Sequence, residues 1–146
     1  MPVEIVELDA VKCLIDGGFI AITVGGGIPV IKDENGNYIG TAAVIDKDLA
    51  SEKLAEDIDA DALVILTAVE NVCVNYNKPN EKRLSTMTVD EAKAYIAEGQ
   101  FAPGSMLPKV EAAIKFVESK PGRRAIITSL DKAVEALEGR AGTTVL

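Results

Sequence analysis

The sequence predicts an α/β protein whose sheet is mainly parallel and is covered by helices on both faces. Short apolar runs such as 62–67 (ALVILT) alternate with stretches of helical periodicity, a pattern typical of right-handed βαβ crossovers. Only 4% of the 146 residues are aromatic and Trp is absent, so the core must be aliphatic. Aliphatic strands of this kind are usually buried between helical layers.

Five segments are expected to form strands, namely 19–24, 62–67, 72–76, 124–128 and 143–146. The runs Phe19–Val24 and Ala62–Thr67 have no polar face, so each is expected to be buried on both sides. The segments 28–32 and 38–44 flank Asn35-Gly36, a pair that suits a turn with positive φ, and they predict a hairpin.

Five helices are expected, over 7–15, from the 46–48 corner to about 58, from 88 to about 98, from 107 to about 120, and over 130–137. Thr88 and Glu91 have the spacing of a capping box, and Ser129 is a candidate cap for the last helix. No repeat or linker interrupts this order, so residues 1–146 are expected to form one domain.

The net charge of −8 argues against nucleic acid as a partner, because an acidic surface repels phosphodiester backbones. No apolar run is long enough for a membrane span, and the first ten residues do not resemble a signal peptide, so we expect a cytoplasmic protein with no membrane partner. Histidine is absent, which excludes histidine-based catalysis and metal sites. Cys13 and Cys73 are expected to be free, buried thiols.

The stretch Val44–Leu54 carries Lys47 between two carboxylates, Asp46 and Asp48, where a helix begins. A helix N-terminus offers free N–H groups and a positive dipole end, and a lysine there can follow phosphate oxygens. This arrangement is suitable for binding phosphate. The alternative is that Asp48 caps the helix and Lys47 is a solvated surface charge.

Two further segments are ambiguous in the same way. Gly25, Gly26 and Gly27 could let backbone N–H groups approach a phosphate, or could simply form a tight turn. Ser105 and Lys109 could place a hydroxyl and an ammonium at a second helix start, or could belong to a capped helix with an exposed lysine.

Lys47 and Lys109 together would suit phosphoryl transfer, which needs charge neutralisation and alignment, and Asp48 could hold both ammonium groups. Asp46, Asp48 and Glu70 are the carboxylates available near a magnesium ion, although substrate phosphates usually supply most of its coordination.

The segments GGGIPVI, AVIDKDLASEKLAE, DADALVILTAVENV, NYNKP and FAPGSMLPKVEAAIKFVE closely resemble the carbamate kinase family, within the amino-acid kinases. The resemblance runs from about Val3 to Leu146. It implies an open three-layer α/β/α sandwich. It also implies an enzyme that exchanges a phosphoryl group between carbamoyl phosphate and ADP and so makes ATP. The cofactors implied are ATP or ADP and Mg²⁺.

The resemblance also implies roles for individual residues. Lys47 would contact the transferring phosphate, Asp48 would organise the catalytic lysines, and Lys109 would hold the nucleotide phosphates. The residues implied to line the nucleotide site are Gly25, Gly26, Gly27, Thr67, Val69, Tyr76, Ser105 and Met106.

Some features depart from the family. Three glycines stand where the family usually has four. Asp is common in the family where Glu70 stands, and other members can carry Asp or Gly where Ala68 stands. Members of the family are about twice as long, and their first half supplies another catalytic lysine and most of the carbamate site. The chain is therefore interpreted as the carboxy-terminal, nucleotide-binding half, inactive alone, with carbamoyl phosphate as a partner only when the other half is supplied.

Two alternatives remain. The chain could be a non-catalytic nucleotide-binding or interaction module, or a half-site that needs a partner chain. Loss of half a continuous sheet would expose an apolar edge, so a homo-oligomer is expected.

Overall fold

The computed structural model describes residues 1–25 and 27–146. Its helices are α1 (Leu8–Asp16), α2 (Lys47–Asp57), α3 (Val89–Ala97), α4 (Met106–Glu118) and α5 (Ala133–Leu137), with a 3₁₀ turn at Leu130–Lys132. Its strands are β1 (Val30–Lys32), β2 (Tyr38–Gly40), β3 (Ala62–Thr67), β4 (Cys73–Val74), β5 (Lys82–Arg83), β6 (Thr86–Met87), β7 (Arg124–Ser129) and β8 (Thr143–Val145). None of the helices in these residues combines the length and apolar content needed to span a bilayer.

The central sheet has the strand order β3-β7-β8-β6. Strand β3 runs parallel to β7, with Thr67 opposite Ser129, and β6 runs parallel to β8. The β7–β8 pair is antiparallel. Two of the three pairings are thus parallel, as the sequence predicts, and the parallel pair brings the carboxyl ends of β3 and β7 to the same edge.

Both faces of β7 are covered. Ala113 and Phe116 of α4 are fully buried and share the main core with Ala125 and Ile127 of β7. Ile126 faces the opposite side of the strand and is only 1% exposed, and α5 also packs against β7. This arrangement confirms the predicted α/β/α sandwich.

The predicted hairpin forms between β1 and β2. The Asp33 carboxylate accepts hydrogen bonds from the N–H groups of Asn35 and Asn37, and Gly36 has a φ of 82°. Local turn chemistry therefore fixes this excursion from the central sheet, as expected from the Asn-Gly pair.

The strand predicted over 72–76 is shorter than expected and does not belong to the central sheet. Only Cys73–Val74 is extended, and it pairs with Lys82–Arg83 in a separate two-stranded ribbon. The Asn75 and Asn77 backbones have positive φ values of 53° and 57°, which end the strand after two residues.

The prediction of a buried strand at 19–24 is wrong for this chain. These residues form no strand, and the exposed fractions of Phe19, Ile20 and Ile22 are 66%, 95% and 99%. A strand needs a hydrogen-bonded neighbour, and no described segment pairs with this one. The prediction of complete burial is also wrong for β3, an edge strand whose Leu66 is 40% exposed.

Three smaller predictions have mixed outcomes. The capping box at Thr88 and Glu91 is present with both reciprocal bonds. The Ser129 hydroxyl makes no capping hydrogen bond, and a 3₁₀ turn lies between Ser129 and α5. Both cysteines are free, but Cys13 is exposed and Cys73 is half-buried, so the expected burial is wrong for Cys13. Val11 is the buried residue of α1, and Cys13 lies among the exposed residues of the same helix.

Candidate active site

Helix α2 begins with a side-chain cap from Asp46. Its Oδ1 accepts hydrogen bonds from the N–H groups of Asp48 at 2.8 Å and Leu49 at 3.3 Å, and its own backbone is extended. The alternative in which Asp48 caps this helix is therefore wrong. Since Asp46 satisfies the helix end, the Asp48 carboxylate is free to act elsewhere.

The Asp48 carboxylate joins the first turns of α2 and α4. Lys109 Nζ donates to Asp48 Oδ2 at 2.6 Å, and the two side chains are only 11% and 9% exposed. Lys47 Nζ lies 3.5 Å from the same oxygen, but its side chain is 63% exposed. The structure thus brings together the three residues that the sequence singles out for phosphate chemistry, across 61 positions of chain.

The start of α4 differs from that of α2. Ser105 precedes the helix without a side-chain capping bond, and its hydroxyl lies 3.5 Å from the carbonyl of Ala102. Gly104 has a φ of 75°, which glycine adopts at little cost. Because the Lys109 side chain is only 11% exposed and Ser105 does not cap, the alternative of a capped helix with an exposed lysine is also wrong.

This cluster, Lys47, Asp48 and Lys109, is suited to binding an anion. One carboxylate faces two ammonium groups, so the cluster carries a net positive charge within an acidic protein. The pairing with Asp48 orients Lys109, while the exposed Lys47 ammonium can move toward a phosphate oxygen. The amino ends of two helices add their dipoles to the same region.

A cavity of about 350 Å³ lies between the end of β3 and the β4–β5 ribbon. Two of its lining residues, Val69 and Tyr76, are among those implied to line a nucleotide site. The sequence analysis did not assign Cys73, Glu81 and Arg83 to a site, although they also line the cavity. The sequence feature that could have indicated them is the polar loop between the segments that form β4 and β5.

Burial raises the pKa of the Cys73 thiol, and the nearby Glu81 carboxylate adds to that shift. A raised pKa keeps the thiol protonated near neutral pH. Cys73 is therefore a neutral wall of the cavity, and it carries no anionic charge that would repel a phosphate.

The remaining predicted residues are placed as follows. Thr67 ends β3 beside Ser129, at the carboxyl edge of the parallel pair. Met106 is the first residue of α4. Gly25 and Gly27 lie in irregular chain, and a Cβ on either would meet no atom within 4 Å. Gly26 lies outside the described residues.

The carboxylates do not form a metal cage. In residues 1–25 and 27–146, no group of three or more Asp, Glu or Cys side chains is placed to hold a metal ion. Asp46 caps α2, Asp48 is paired with Lys109, and Glu70 lines the cavity. A divalent cation at this site would depend on phosphate oxygens for most of its ligands.

Comparison with known proteins places the fold and the chain in context. The chain is 58% identical to the carbamate kinase of Clostridium perfringens and 56% identical to the carbamate kinase-like protein YqeA of Escherichia coli. Each match covers 99% of this chain and 46% of the relative, so the chain spans about half the length of the curated relatives it matches.

Solved structures agree with these matches. The structure of the Giardia lamblia carbamate kinase bound to AMP-PNP superposes with a TM-score of 0.94 at 48% identity, over 99% of this chain and 50% of that one. The model of the Amino acid kinase family matches residues 1–129. These matches confirm the resemblance stated from the motifs, and the chain belongs to the amino acid kinase family.

Proposed function

We propose that this chain is the carboxy-terminal, nucleotide-binding half of a carbamate kinase-type phosphotransferase. The complete enzyme would transfer the phosphoryl group of carbamoyl phosphate to ADP, giving ATP and carbamate. The observation that carries this proposal is the largely enclosed Lys109–Asp48 ion pair, with side chains 11% and 9% exposed, and the exposed Lys47 beside it. Such an arrangement supplies the positive charge and the alignment that phosphoryl transfer requires.

In this proposal the lysines have separate tasks. Lys109, fixed by Asp48 in the first turn of α4, would hold the phosphates of the bound nucleotide. Lys47 is exposed and movable, so it would contact the phosphoryl group in transit. Asp48 would position both ammonium groups and would not itself touch the substrate.

The nucleoside would occupy the cavity beside β3. Val69 and Tyr76 offer an apolar wall and an aromatic ring, while Thr67, Ser105 and Met106 lie at the strand end and helix start. A relative at 48% identity was solved with AMP-PNP, which supports a nucleotide for this chain. We propose that Mg²⁺ arrives bound to the nucleotide phosphates, consistent with the absence of a carboxylate cage in the described residues.

The carbamoyl phosphate site would require the half of the relatives that this chain does not span. We therefore propose that the isolated chain binds nucleotide but does not turn over. Its two unpaired cysteines fit a reducing compartment, so the proposed location is the cytoplasm.

Calorimetric titration of the purified chain with Mg²⁺–ADP and Mg²⁺–ATP tests this proposal. Each charge-assisted hydrogen bond contributes about 1.5–3 kcal/mol, so Lys109→Ala should lower the binding affinity for both nucleotides roughly 10- to 100-fold. Lys47→Ala should lower the affinity for ATP more than the affinity for ADP, because only ATP carries the transferable phosphoryl group.

The matched control is Lys93→Ala. Lys93 pairs with Glu118 at 2.6 Å on the exposed surface between α3 and α4, away from the α4 N-terminus. This variant should bind both nucleotides as the wild type does. A folded wild-type chain that binds neither nucleotide, or a folded Lys109→Ala chain with unchanged affinity, would contradict the proposal.

A further inference from the structure

Helix α2 carries Lys47 and Asp48, yet its buried face is not a normal apolar one. Its four buried residues are Asp48, Ala50, Glu52 and Ala55. Two of these side chains are acidic and the other two are single methyl groups, while neither leucine of α2 is fully buried. Apolar packing alone gives such a helix little resistance to sliding or turning, so its placement depends on its charged side chains.

Glu52 is the most deeply buried of these charged groups. Its side chain is 0% exposed, and Lys115 Nζ of α4 donates to its Oε2 at 2.6 Å. Oε1 has no donor among the residues that the structure describes. An ionised carboxylate in this position has lost its water and depends on a single ammonium group, so separation of the Glu52–Lys115 pair is costly.

This pair lies close to the candidate site along α2. Glu52 follows Asp48 by four residues, so the two side chains lie on the same face of the helix, about 6 Å apart along its axis. Both reach α4, where Asp48 accepts from Lys109 and Glu52 accepts from Lys115, each at 2.6 Å. A single ion pair leaves α2 free to turn about one point. A second pair one turn further along removes that freedom.

The other ion pairs of α2 and its C-terminus are placed differently. Lys53 pairs with Asp57 at 2.7 Å within α2 itself, so it does not connect the two helices. Asp59, beyond the end of α2, accepts from Lys120 at 2.8 Å, but its side chain is 64% exposed and solvent weakens the attraction. Glu52 thus provides the fully buried carboxylate among these pairs.

We propose that Glu52 is a positioning residue, whose ion pair with Lys115 fixes α2 against α4 and thereby holds Asp48 within reach of Lys109. Glu52 lies a full turn from Asp48 and would not touch a bound phosphate. The effect on the placement of Lys109 is independent of any ligand. Its consequence for nucleotide binding rests on the proposed function of the cluster formed by Lys47, Asp48 and Lys109.

The rival explanation is that the pair only stabilises the fold. A buried ion pair is weak evidence for stability, because the desolvation of both groups offsets their attraction. Lys115 keeps 36% of its side chain exposed, so its ammonium group loses little by separation from Glu52. The two explanations differ in a measurable way. A purely stabilising pair affects the whole α2–α4 contact alike, whereas a positioning pair affects Lys109 in particular.

Acylation of lysine side chains tests the placement of Lys109 without a nucleotide. The 146-residue chain is treated with acetic anhydride near neutral pH, and the rate at each lysine is followed by peptide mass spectrometry. In the wild type Lys109 should react slowly, because its side chain is 11% exposed and paired with Asp48. Lys115→Met removes the ammonium group and keeps most of the side-chain volume, so Lys109 should react at least about threefold faster. Lys115→Arg keeps a positive charge and should restore the slow reaction.

Lys53 is the internal control for this experiment. Its side chain is only 18% exposed and is paired within α2, so it reports fraying of the helix and not its placement against α4. It should react at the same rate in the wild type and in Lys115→Met. The matched control variant is Lys93→Met, which removes another 2.6 Å pair to α4, with Glu118. This variant should leave the reaction of Lys109 slow.

Glu52→Gln is the second test variant. It keeps the shape of the side chain and removes its charge, so Lys109 should again react faster in a chain that still melts cooperatively. In the double variant with Lys115→Met, the rate should not exceed that of Lys115→Met alone, because the two residues act as one pair.

Three results would overturn the proposal. The first is an unchanged reaction rate of Lys109 in folded Lys115→Met, and the second is an equal acceleration of Lys53 and Lys109. If Lys115→Met does not fold, Glu52→Gln decides by the same comparison. The third is loss of folding in both variants, which would show that the pair maintains the fold and does not merely position the helix.

Nucleotide titration separates this proposal from the proposed function. If the cluster binds nucleotide phosphates, Lys115→Met should lower the affinity for Mg²⁺–ADP about 3- to 10-fold, at a melting temperature close to that of the wild type. A wild-type chain that binds no nucleotide contradicts the proposed function, and the acylation rate of Lys109 still decides the positioning role. Unchanged affinity together with unchanged acylation in folded Lys115→Met refutes the positioning role alone.

Discussion

Glu52 of α2 is fully buried with one close partner. Lys115 Nζ of α4 donates to its Oε2 at 2.6 Å, while Oε1 has no hydrogen-bond partner among the described residues. Burial raises the pKa of Glu52 above its ordinary value of 4.5, and the hydrogen bond from Lys115 offsets only part of this rise. Ionisation of Glu52 therefore costs more free energy in the folded chain than in the unfolded chain.

This raised pKa predicts a pH dependence of stability. The contribution of neutral Glu52 is present below pH 4.5 and is lost as the pH rises through the folded-state pKa. Glu52→Gln cannot ionise, so its free energy of unfolding relative to wild type should increase from pH 4.5 to neutral pH. Urea unfolding at a series of pH values measures this difference. A difference that is flat or falls with pH would contradict the assignment.

Asp59 provides a control, because its pKa is shifted in the opposite direction to that of Glu52. Hydrogen bonds from Lys120 and Arg123 lower its pKa below 3.8, so its stabilising contribution is present above that pH and is lost as the pH falls through the folded-state pKa. Asp59→Asn should therefore be less stable than wild type at neutral pH and approach it in acid. Asparagine tolerates the φ of 56° at this position, so the backbone should be unaffected.

Arg123 anchors the turn between α4 and β7. Its guanidinium lies 4.8 Å from the centre of the Phe116 ring, donates to Asp59 Oδ1 at 2.8 Å and bonds the Ser119 hydroxyl. Arg123→Lys keeps the charge but loses the planar fork, so we expect a loss of about 1–2 kcal/mol in the free energy of unfolding. The exposed neighbour Arg124 is the control, and Arg124→Lys should change stability little.

At the scale of single elements, α3 depends on its capping box. Thr88 Oγ1 accepts from the Glu91 N–H, and the Glu91 carboxylate accepts from the Thr88 N–H at 2.9 Å. Thr88→Ala should lower the free energy of unfolding by about 1 kcal/mol, while Thr88→Ser should retain most of it. Thermal melts of both variants measure the effect. Equal melting temperatures for wild type and Thr88→Ala would show that the cap contributes nothing.

Elements with local determinants could be predicted from the sequence. The capping box of α3 and the Asn35-Gly36 hairpin form from contacts within a few residues, so their residue types are sufficient. The absence of a strand at 19–24 could not be predicted in the same way, because a strand needs a hydrogen-bonded neighbour and no described segment pairs with this one. The position of β4 depends on two asparagines with positive φ, for which the apolar pattern of 72–76 gives no signal.

At the scale of the whole molecule, the candidate site shows where sequence reasoning ends. Spacing alone could suggest that Lys47 and Lys109 each begin a helix, but α2 and α4 must pack together before Lys109 reaches Asp48 at 2.6 Å. The residue types allowed Asp48 to hold both ammonium groups, and the resemblance implied that it organises the lysines. The low exposure of the Lys109 side chain emerges only from packing, as do the walls of the cavity at the β4–β5 ribbon.

The isolated chain should not make ATP from carbamoyl phosphate and ADP. Phosphoryl transfer requires donor and acceptor to be held in line, and the chain spans only about half the length of its relatives. Lys47, which would contact the moving group, is 63% exposed, so water could reach the phosphate in the isolated chain. A coupled assay of ATP formation, with full-length Clostridium perfringens carbamate kinase as the positive control, measures this.

The assay is informative only for folded protein. If residues 1–146 form one folding unit, as we propose, the chain should show a single cooperative thermal transition in the assay buffer. Folded chain without activity, followed by activity in a full-length chimera in which this chain replaces the matched part of the Clostridium perfringens carbamate kinase, would assign the missing function to the absent half. Activity in the folded chain that Lys47→Ala abolishes would instead show that the 146 residues contain a complete site.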